Sequence, residues 1–237
     1  MRTGTTLIIM IITLLSASCS YKPQLTAIPL LEKKGDMQID GTLAPYALST
    51  SLTASYAFSD YLAVQVFGDV GGNLMVYGHG ALGYFKQFND RLVFENYTGF
   101  GYGYSKDTRK DYDVEECSGP IKDNYYLGFT QFNLGENWSR RVHLGYGVGI
   151  KIGYLFHVHK NVYYDDYWKS NTFSRKINST VVEPNIFFRI GGKKLKFSIQ
   201  LNWCFLRQWN YRDYYLDYFP ANIGIGMSYR FSTISKK

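Results

Sequence analysis

The stretch Val142–Val158 reads VHLGYGVGIKIGYLFHV, and its period is two. Val142, Leu144, Tyr146, Val148, Ile150, Ile152, Tyr154, Phe156 and Val158 occupy every even position. The odd positions hold His143, Lys151, Leu155, His157 and four glycines. Successive side chains of a strand point to opposite faces, so this is one β-strand with an apolar face and a glycine-rich, polar one. It is longer than a strand in a soluble sheet needs to be. An apolar face of this length suits hydrocarbon. Main-chain groups in hydrocarbon must all be paired, and strands achieve that only by closing into a barrel.

Nine further segments alternate in the same way: Asp36–Ala44, Thr50–Phe58, Tyr61–Val70, Gly78–Phe88, Leu92–Tyr104, Tyr125–Gly135, Thr180–Ile190, Leu195–Phe205 and Asn222–Phe231. Register is decided by cost where the pattern is mixed. In Leu92–Tyr104, placing Glu95 against lipid costs more than placing Asn96 there, so Glu95 faces inward. In Gly78–Phe88, Lys86 falls on the same face as Leu82 and Tyr84. A lipid-facing Lys costs about 2–4 kcal/mol at the midplane but about 0–1 kcal/mol near an interface, and Lys86 adjoins the Asn89-Asp90 turn. The face of Tyr125–Gly135 stays open. Pro184 falls inside a strand of a sheet without edges, which predicts a bulge or a strand beginning near Asn185.

The connections sort by length. Ser59-Asp60, Asn89–Arg91, Glu136–Arg140 and Gly191–Lys193 are short, whereas Gly71–Tyr77, Ser105–Asn124, His159–Asn178 and Leu206–Tyr218 are longer and lie on the other side. Short periplasmic turns, long outer loops and an even strand number are the habit of outer-membrane barrels. The expected fold is therefore all-β, a single antiparallel transmembrane β-barrel of ten strands. Eight and twelve strands are the alternatives, and a soluble sandwich or lipocalin-like barrel is the competing class. An aromatic content of 18%, with 23 Gly and only 6 Pro, fits interfacial girdles and a crowded interior. A mean hydropathy of −0.21 fits too, because only alternate residues meet lipid. The net charge of +7 is scattered, with no basic run or recognition motif, which argues against nucleic acid as a partner.

Arg2 followed by the apolar core Leu7–Leu15 is a targeting signal too short to span a bilayer as a helix. Ser16-Ala17-Ser18 is a small-residue cleavage site, and Cys19 follows at once. The expected organisation is signal peptide 1–18, a lipidated tether 19–35 with Pro23 and Pro29, the barrel 36–231 and a tail 232–237. Both termini of the mature chain are expected on the periplasmic side. The alternative is an ordinary signal peptide that leaves Cys19 unmodified. Cys117 and Cys204 fall toward the outer face, where a disulfide between them is chemically allowed.

Leu15-Ser16-Ala17-Ser18-Cys19 resembles the lipobox of bacterial lipoproteins. The strand ending Met227-Ser228-Tyr229-Arg230-Phe231 resembles the C-terminal strand that barrel-assembly machinery reads in outer-membrane proteins. Cys19 together with Ile28–Asp36 resembles the entry to small outer-membrane lipoprotein barrels of the Bacteroidota type. That resemblance implies a Gram-negative outer membrane and a lipid anchor, and it brings no enzymatic motif.

The inward face collects Asp69, Glu95, His143, Lys151, Glu183, Arg189, Lys196 and Arg230. Their mixed signs read either as the lining of a narrow selective pore or as a plug of paired charges filling a small barrel. His157 and His159 share one face and are weak metal candidates. Tyr164, Tyr167, Trp168, Trp209 and Tyr211 lie in outer loops, where rigid rings suit glycan or protein contact. No Ser–His pairing suggests catalysis, and no cofactor is implied. The function read from sequence is a non-enzymatic outer-membrane β-barrel lipoprotein with a structural or partner-binding role. A narrow diffusion channel is the alternative, and a rim hydrolase acting on lipid or peptide is the third reading.

Overall fold

The computed structural model describes residues 21–72, 75–107, 121–139, 142–164, 170–210, 218 and 220–232. The strands are β1 (Asp36–Ala44), β2 (Ser49–Ala57), β3 (Leu62–Gly71), β4 (Met75–Gln87), β5 (Leu92–Asp107), β6 (Ile121–Ser139), β7 (His143–Tyr164), β8 (Ser170–Gly191), β9 (Leu195–Trp203), β10 (Phe205–Gln208) and β11 (Ala221–Ser232). Each pairs antiparallel with its neighbour in the order β10-β8-β7-β6-β5-β4-β3-β2-β1-β11-β9, and β9 also pairs with β8. The sheet therefore closes on itself. β9 and β10 form one stave interrupted at Cys204, so the barrel has ten staves. Among the described residues no helix is long and apolar enough to cross a membrane, which is silent about strands.

The period of two decides every face. Leu52, Val66, Leu82, Phe100, Val148, Ile199 and Ile225 are exposed on the outside, Leu82 at 68%. Gln65, Asp69, Glu95, Lys151, Glu183 and Arg189 are buried on the inside. In β4, Leu82 and Tyr84 face out, as the cost of Lys86 near a turn allowed. In β6, the inward set is Tyr125, Leu127, Phe129, Gln131 and Asn133. Exposed rings collect toward both ends of this apolar belt, with Tyr61 stacked on Tyr84 at the short-turn end and Tyr102 against Tyr126 at the other. A nine-residue stave such as β1 rises about 30 Å along its axis. Tilted as barrel strands are, it spans close to the roughly 25 Å apolar band of an outer-membrane barrel.

The two ends differ. β5 through β8 outrun their neighbours on the long-loop side, and β7 and β8 each reach 22 residues. Of the segment expected as the loop His159–Asn178, residues 159–164 and 170–178 instead continue this hairpin, paired without a break from His143↔Gly191 to Tyr164↔Ser170. Likewise Glu136–Arg140 is not a turn throughout, since β6 runs to Ser139. Cross-strand hydrogen bonds do not require apolar alternation, so a ladder can continue beyond the point where the lipid-facing pattern fades.

Pro184 is accommodated without the expected bulge. It stays in register with Ile150 of β7. On its other side the pairing Phe205↔Val182 and the pairing Asn185↔Asn202 follow one register, and only the rungs between them are missing. A proline has no N–H to give, so the ladder skips a step rather than shifting. The ladder on the other edge is untouched: Cys204 N donates to Pro220 O at 2.8 Å, one rung beyond the Trp203↔Ala221 pair of β9 and β11.

An arginine in the middle of the outer belt tests which solvent the belt meets. Ile199→Arg, at the centre of β9, is expected to destabilise the barrel refolded in lipid by about 2–4 kcal/mol. Denaturant unfolding in vesicles measures it, and a cost near zero would mean that Ile199 faces water.

Candidate functional site

The inner wall alternates large and small side chains across neighbouring staves. Gly99, Gly101 and Gly103 of β5 lie between Ala81, His79 and Tyr77 of β4 and Phe129, Leu127 and Tyr125 of β6. A Cβ at Gly101 would strike the Tyr77 ring and one at Gly103 the Tyr125 ring, so these positions need the absence of a side chain. The rings form a contiguous aromatic bank: Tyr77 stacks on Tyr125 with centroids 5.6 Å apart, and His79 lies 4.8 Å from Phe129. The facing part of the wall is small and polar, with Thr42, Ser51, Thr53, Ser55, Ser198, Gln200, Asn202, Asn222 and Ser228.

Between bank and wall lies the chain's own N-terminal segment. Tyr21, Lys22, Gln24, Leu25, Thr26, Ala27, Ile28, Leu30 and Leu31 are each no more than 3% exposed. Tyr21 bridges to Tyr218 at the long-loop end, whereas Gly35 and the start of β1 lie at the short-turn end. The segment therefore threads the whole lumen. This corrects the expectation of an external tether. Tyr21, itself buried, lies at the end of the barrel opposite to the C-terminal end of β11. The turn back into β1 uses Gly35 at φ 83°, a backbone state that side chains disfavour.

The wall holds the segment mainly through its backbone carbonyls. Asn222 Nδ2 donates to Pro23 O at 3.2 Å, Asn202 Nδ2 to Gln24 O at 2.6 Å and Gln65 Nε2 to Ala27 O at 3.1 Å. Ala27 N donates to Thr53 Oγ1, and Leu31 N donates to Glu95 Oε1 at 2.8 Å. Arg230 Nη2 donates to Pro29 O and Leu30 O at 2.7 and 2.6 Å, while its Nη1 meets Glu32 Oε1 at 3.0 Å. Leu30 sits at φ 53°, a left-handed state that persists in a leucine only when its surroundings enforce it. Arg230 and Glu95, gripping the residues on either side, supply that enforcement. Pro23 and Pro29 carry no N–H and so add no buried donor to satisfy.

Ion pairs fasten both segment and wall. Lys22 Nζ lies 2.8 Å from Asp69 Oδ2, both buried. Lys151 and Glu183, cross-strand partners on β7 and β8, approach to 3.3 Å, and each also reaches the segment. Lys151 Nζ donates to Thr26 Oγ1, and Tyr21 Oη donates to Glu183 Oε1 at 2.7 Å. Arg189 Nη2 lies 3.4 Å from Asp40 Oδ1 on a stave that is not its neighbour. Glu95 also accepts from Asn133 Nδ2. Lys196 and His143 are half-buried toward the short-turn end. Of the interior residues read from sequence, six are thus joined to the segment or across the lumen. What sequence reasoning missed is the other half of each contact. The apolar run Leu25, Ile28, Leu30, Leu31 was the available signal, since a tether in water has no use for it.

The remaining candidates fall elsewhere. His157 and His159 are buried beside Asp123 of β6 at the long-loop end. Cys204 is a free thiol buried at 2% exposure in the aromatic bank, and its candidate partner Cys117 lies outside the described residues, as does Cys19. Trp209 is exposed, with its indole N–H donating to Thr180 Oγ1 at 2.9 Å. Tyr164 closes β7, and Tyr167, Trp168 and Tyr211 lie outside the described residues.

No protein-family model matches the sequence, and no curated protein does. Among solved structures the chain is similar to a KdgM porin in complex with disordered oligogalacturonate, at 10% identity and a TM-score of 0.39, covering 83% of this chain and 99% of that one. A second KdgM porin gives 12% identity and a TM-score of 0.35 over 83% and 99% of the two chains. A bacterial polysaccharide outer membrane secretin gives 10% identity and a TM-score of 0.24 over 85% and 99%.

A thiol probe tests the segment's hold. With Cys19, Cys117 and Cys204 replaced by Ser, Ala27→Cys is expected to resist a polar maleimide in the intact barrel. Adding Asp69→Ala, which strands Lys22, is expected to raise the labelling rate at least several-fold, because leaving a buried charge unpaired costs about 3–5 kcal/mol. Mass spectrometry of the labelled chain measures this, and rapid labelling before Asp69 is changed would contradict a seated segment.

Proposed function

We propose that this chain is an outer-membrane protein whose barrel is a narrow channel held shut by its own N-terminal segment. The carrying observation is the division of labour in the lumen. A barrel of this size can be filled by wall side chains alone. Here one side of the wall is small and polar, and a separate strand-like segment fills the space. Its fixings are hydrogen bonds and ion pairs, all of which water and a polar solute can replace. Removing the segment would leave a passage lined by Asp69, Glu95, Lys151, Glu183 and Arg189. Charges of both signs suit a small polar solute.

The exposed apolar belt and its flanking rings support insertion in the outer membrane, long-loop end outward. In that orientation the short turns and the C-terminus face the periplasm. An acylated Cys19, two residues before Tyr21, would then sit at the cell surface. Trp209 and the neighbouring outer-loop aromatics would meet whatever glycan or protein approaches. The second reading is a permanently closed barrel with a structural or partner-binding role. It is favoured by the number of bonds that hold residues 22–31.

Planar-bilayer recordings separate the two. The full chain is expected to show little steady current, and a chain lacking residues 21–33 is expected to conduct in well-defined steps. Lys151→Glu in the shortened chain should shift selectivity toward cations. A shortened chain that inserts and folds yet stays silent would overturn the channel and leave the closed barrel.

A further inference from the structure

The long-loop end of the lumen holds a constellation that the plugged channel does not use. Asp123 of β6 and His157 and His159 of β7 are all buried. Their ligand atoms lie within 4.8 Å of one another. The period of two puts both histidines on the inner face, and the register sets Asp123 directly opposite His159 and Tyr125 opposite His157. Asp123 Oδ1 lies 3.0 Å from His157 Nε2 and 2.7 Å from His159 Nδ1. His157 Nδ1 is buried with no hydrogen-bond partner among the described residues.

We propose that Asp123, His157 and His159 form a binding site for a divalent transition cation of the zinc, copper and nickel class. Two imidazoles and one carboxylate are a donor set that this class takes in preference to magnesium or calcium. A tetrahedral zinc with ligands at 2.0–2.2 Å holds them about 3.3 Å apart. The two carboxylate–imidazole distances, 2.7 and 3.0 Å, need to open by several tenths of an ångström, and the two imidazole nitrogens, no more than 4.8 Å apart, set the rest of the adjustment. As ligands, a carboxylate and two imidazoles supply one negative charge against the dication, leaving the bound site with a single positive one. The ligands stand on paired strands rather than on a loop, so their separation is largely preset. Three protein ligands leave a fourth position for water or for a donor from a visiting molecule. One neighbour opposes the cation: Arg175 of β8 is the cross-strand partner of His159 and is half-buried on the same face. The site stands whether or not the lumen opens.

The test uses the untagged full chain in detergent. Equilibrium dialysis against zinc, read by elemental mass spectrometry, is expected to give one zinc per chain. Asp123→Asn, His157→Ala and His159→Ala are each expected to weaken binding more than about tenfold. His143→Ala, at the far end of β7, and Cys117→Ser should leave it unchanged. Arg175→Gln should tighten it. Folding of each variant is checked by its β circular dichroism and heat-modifiable migration. Cobalt added to the unaltered chain gives a readout that needs no variant. Intense visible d–d bands without thiolate charge transfer are expected. Absent bands, less than one zinc per chain at saturation, or binding indifferent to all three ligand variants would overturn the proposal.

Discussion

Every polar group that faces the inside of a closed barrel must find its partner within the barrel. A closed wall admits no help from outside, and an unsatisfied buried group costs about 1–3 kcal/mol. The rest of this structure follows from that requirement. The staves use up their own N–H and C=O groups in the ladders, so what remains to be satisfied is side chain. Gln65, Asn202, Asn222 and Arg230 are donors, and Glu95 and Asp69 are acceptors. An extended segment offers what these groups need: a row of carbonyls, a few N–H groups and one ammonium. Its apolar side chains Leu25, Ile28, Leu30 and Leu31 meet what remains of the wall.

The same requirement explains the asymmetry of the lumen. Rings that lie across the glycines of β5 fill one side with little polar demand, limited to the hydroxyls of Tyr77 and Tyr125 and the ring nitrogens of His79. The other side is built from Ser, Thr, Asn and Gln, which need partners and find several of them on the segment. The tightest fixings sit near its two ends, at Lys22–Asp69 and at Arg230 with Glu95. A segment pinned this way is either fully seated or released, because losing one end strands a buried charge. That is the behaviour of a plug, and it links the energetics of the lumen to the proposed control of passage.

Most of the barrel could be read from the chain because an apolar outer face leaves a simple mark. Every residue of a stave faces either outward or inward, and Leu52, Val66, Ile150 and Ile199 declare their face without knowledge of any neighbour. Cost alone settled Glu95, whereas at Lys86 it only left Leu82 and Tyr84 admissible as the outward set. Pro184 was legible as a problem but not in its solution, since whether a ladder shifts or only skips a rung is set by the pairings on either side of it. Where the staves leave the apolar belt the mark disappears. Residues 159–164 and 170–178 carry no alternation that distinguishes strand from loop, and only pairing reveals them. For the same reason Asp123 read as part of a charged loop, and its place opposite His159 was hidden. The segment 21–32 was illegible in a different way. It has no period because it faces wall on all sides, so only its apolar content argued against a solvated tether.

The central claim is that residues 21–32 lie inside the barrel, running from the long-loop end to the short-turn end. Site-directed cross-linking in native membranes tests it most directly. In a chain otherwise free of cysteine, Ala27→Cys paired with Gln65→Cys should be joined rapidly by a short thiol reagent. Ala27→Cys paired with Val66→Cys, one residue along but on the outer face, should not be joined. Equal cross-linking of both pairs, or of neither in a barrel that is folded, would contradict a segment seated in the lumen.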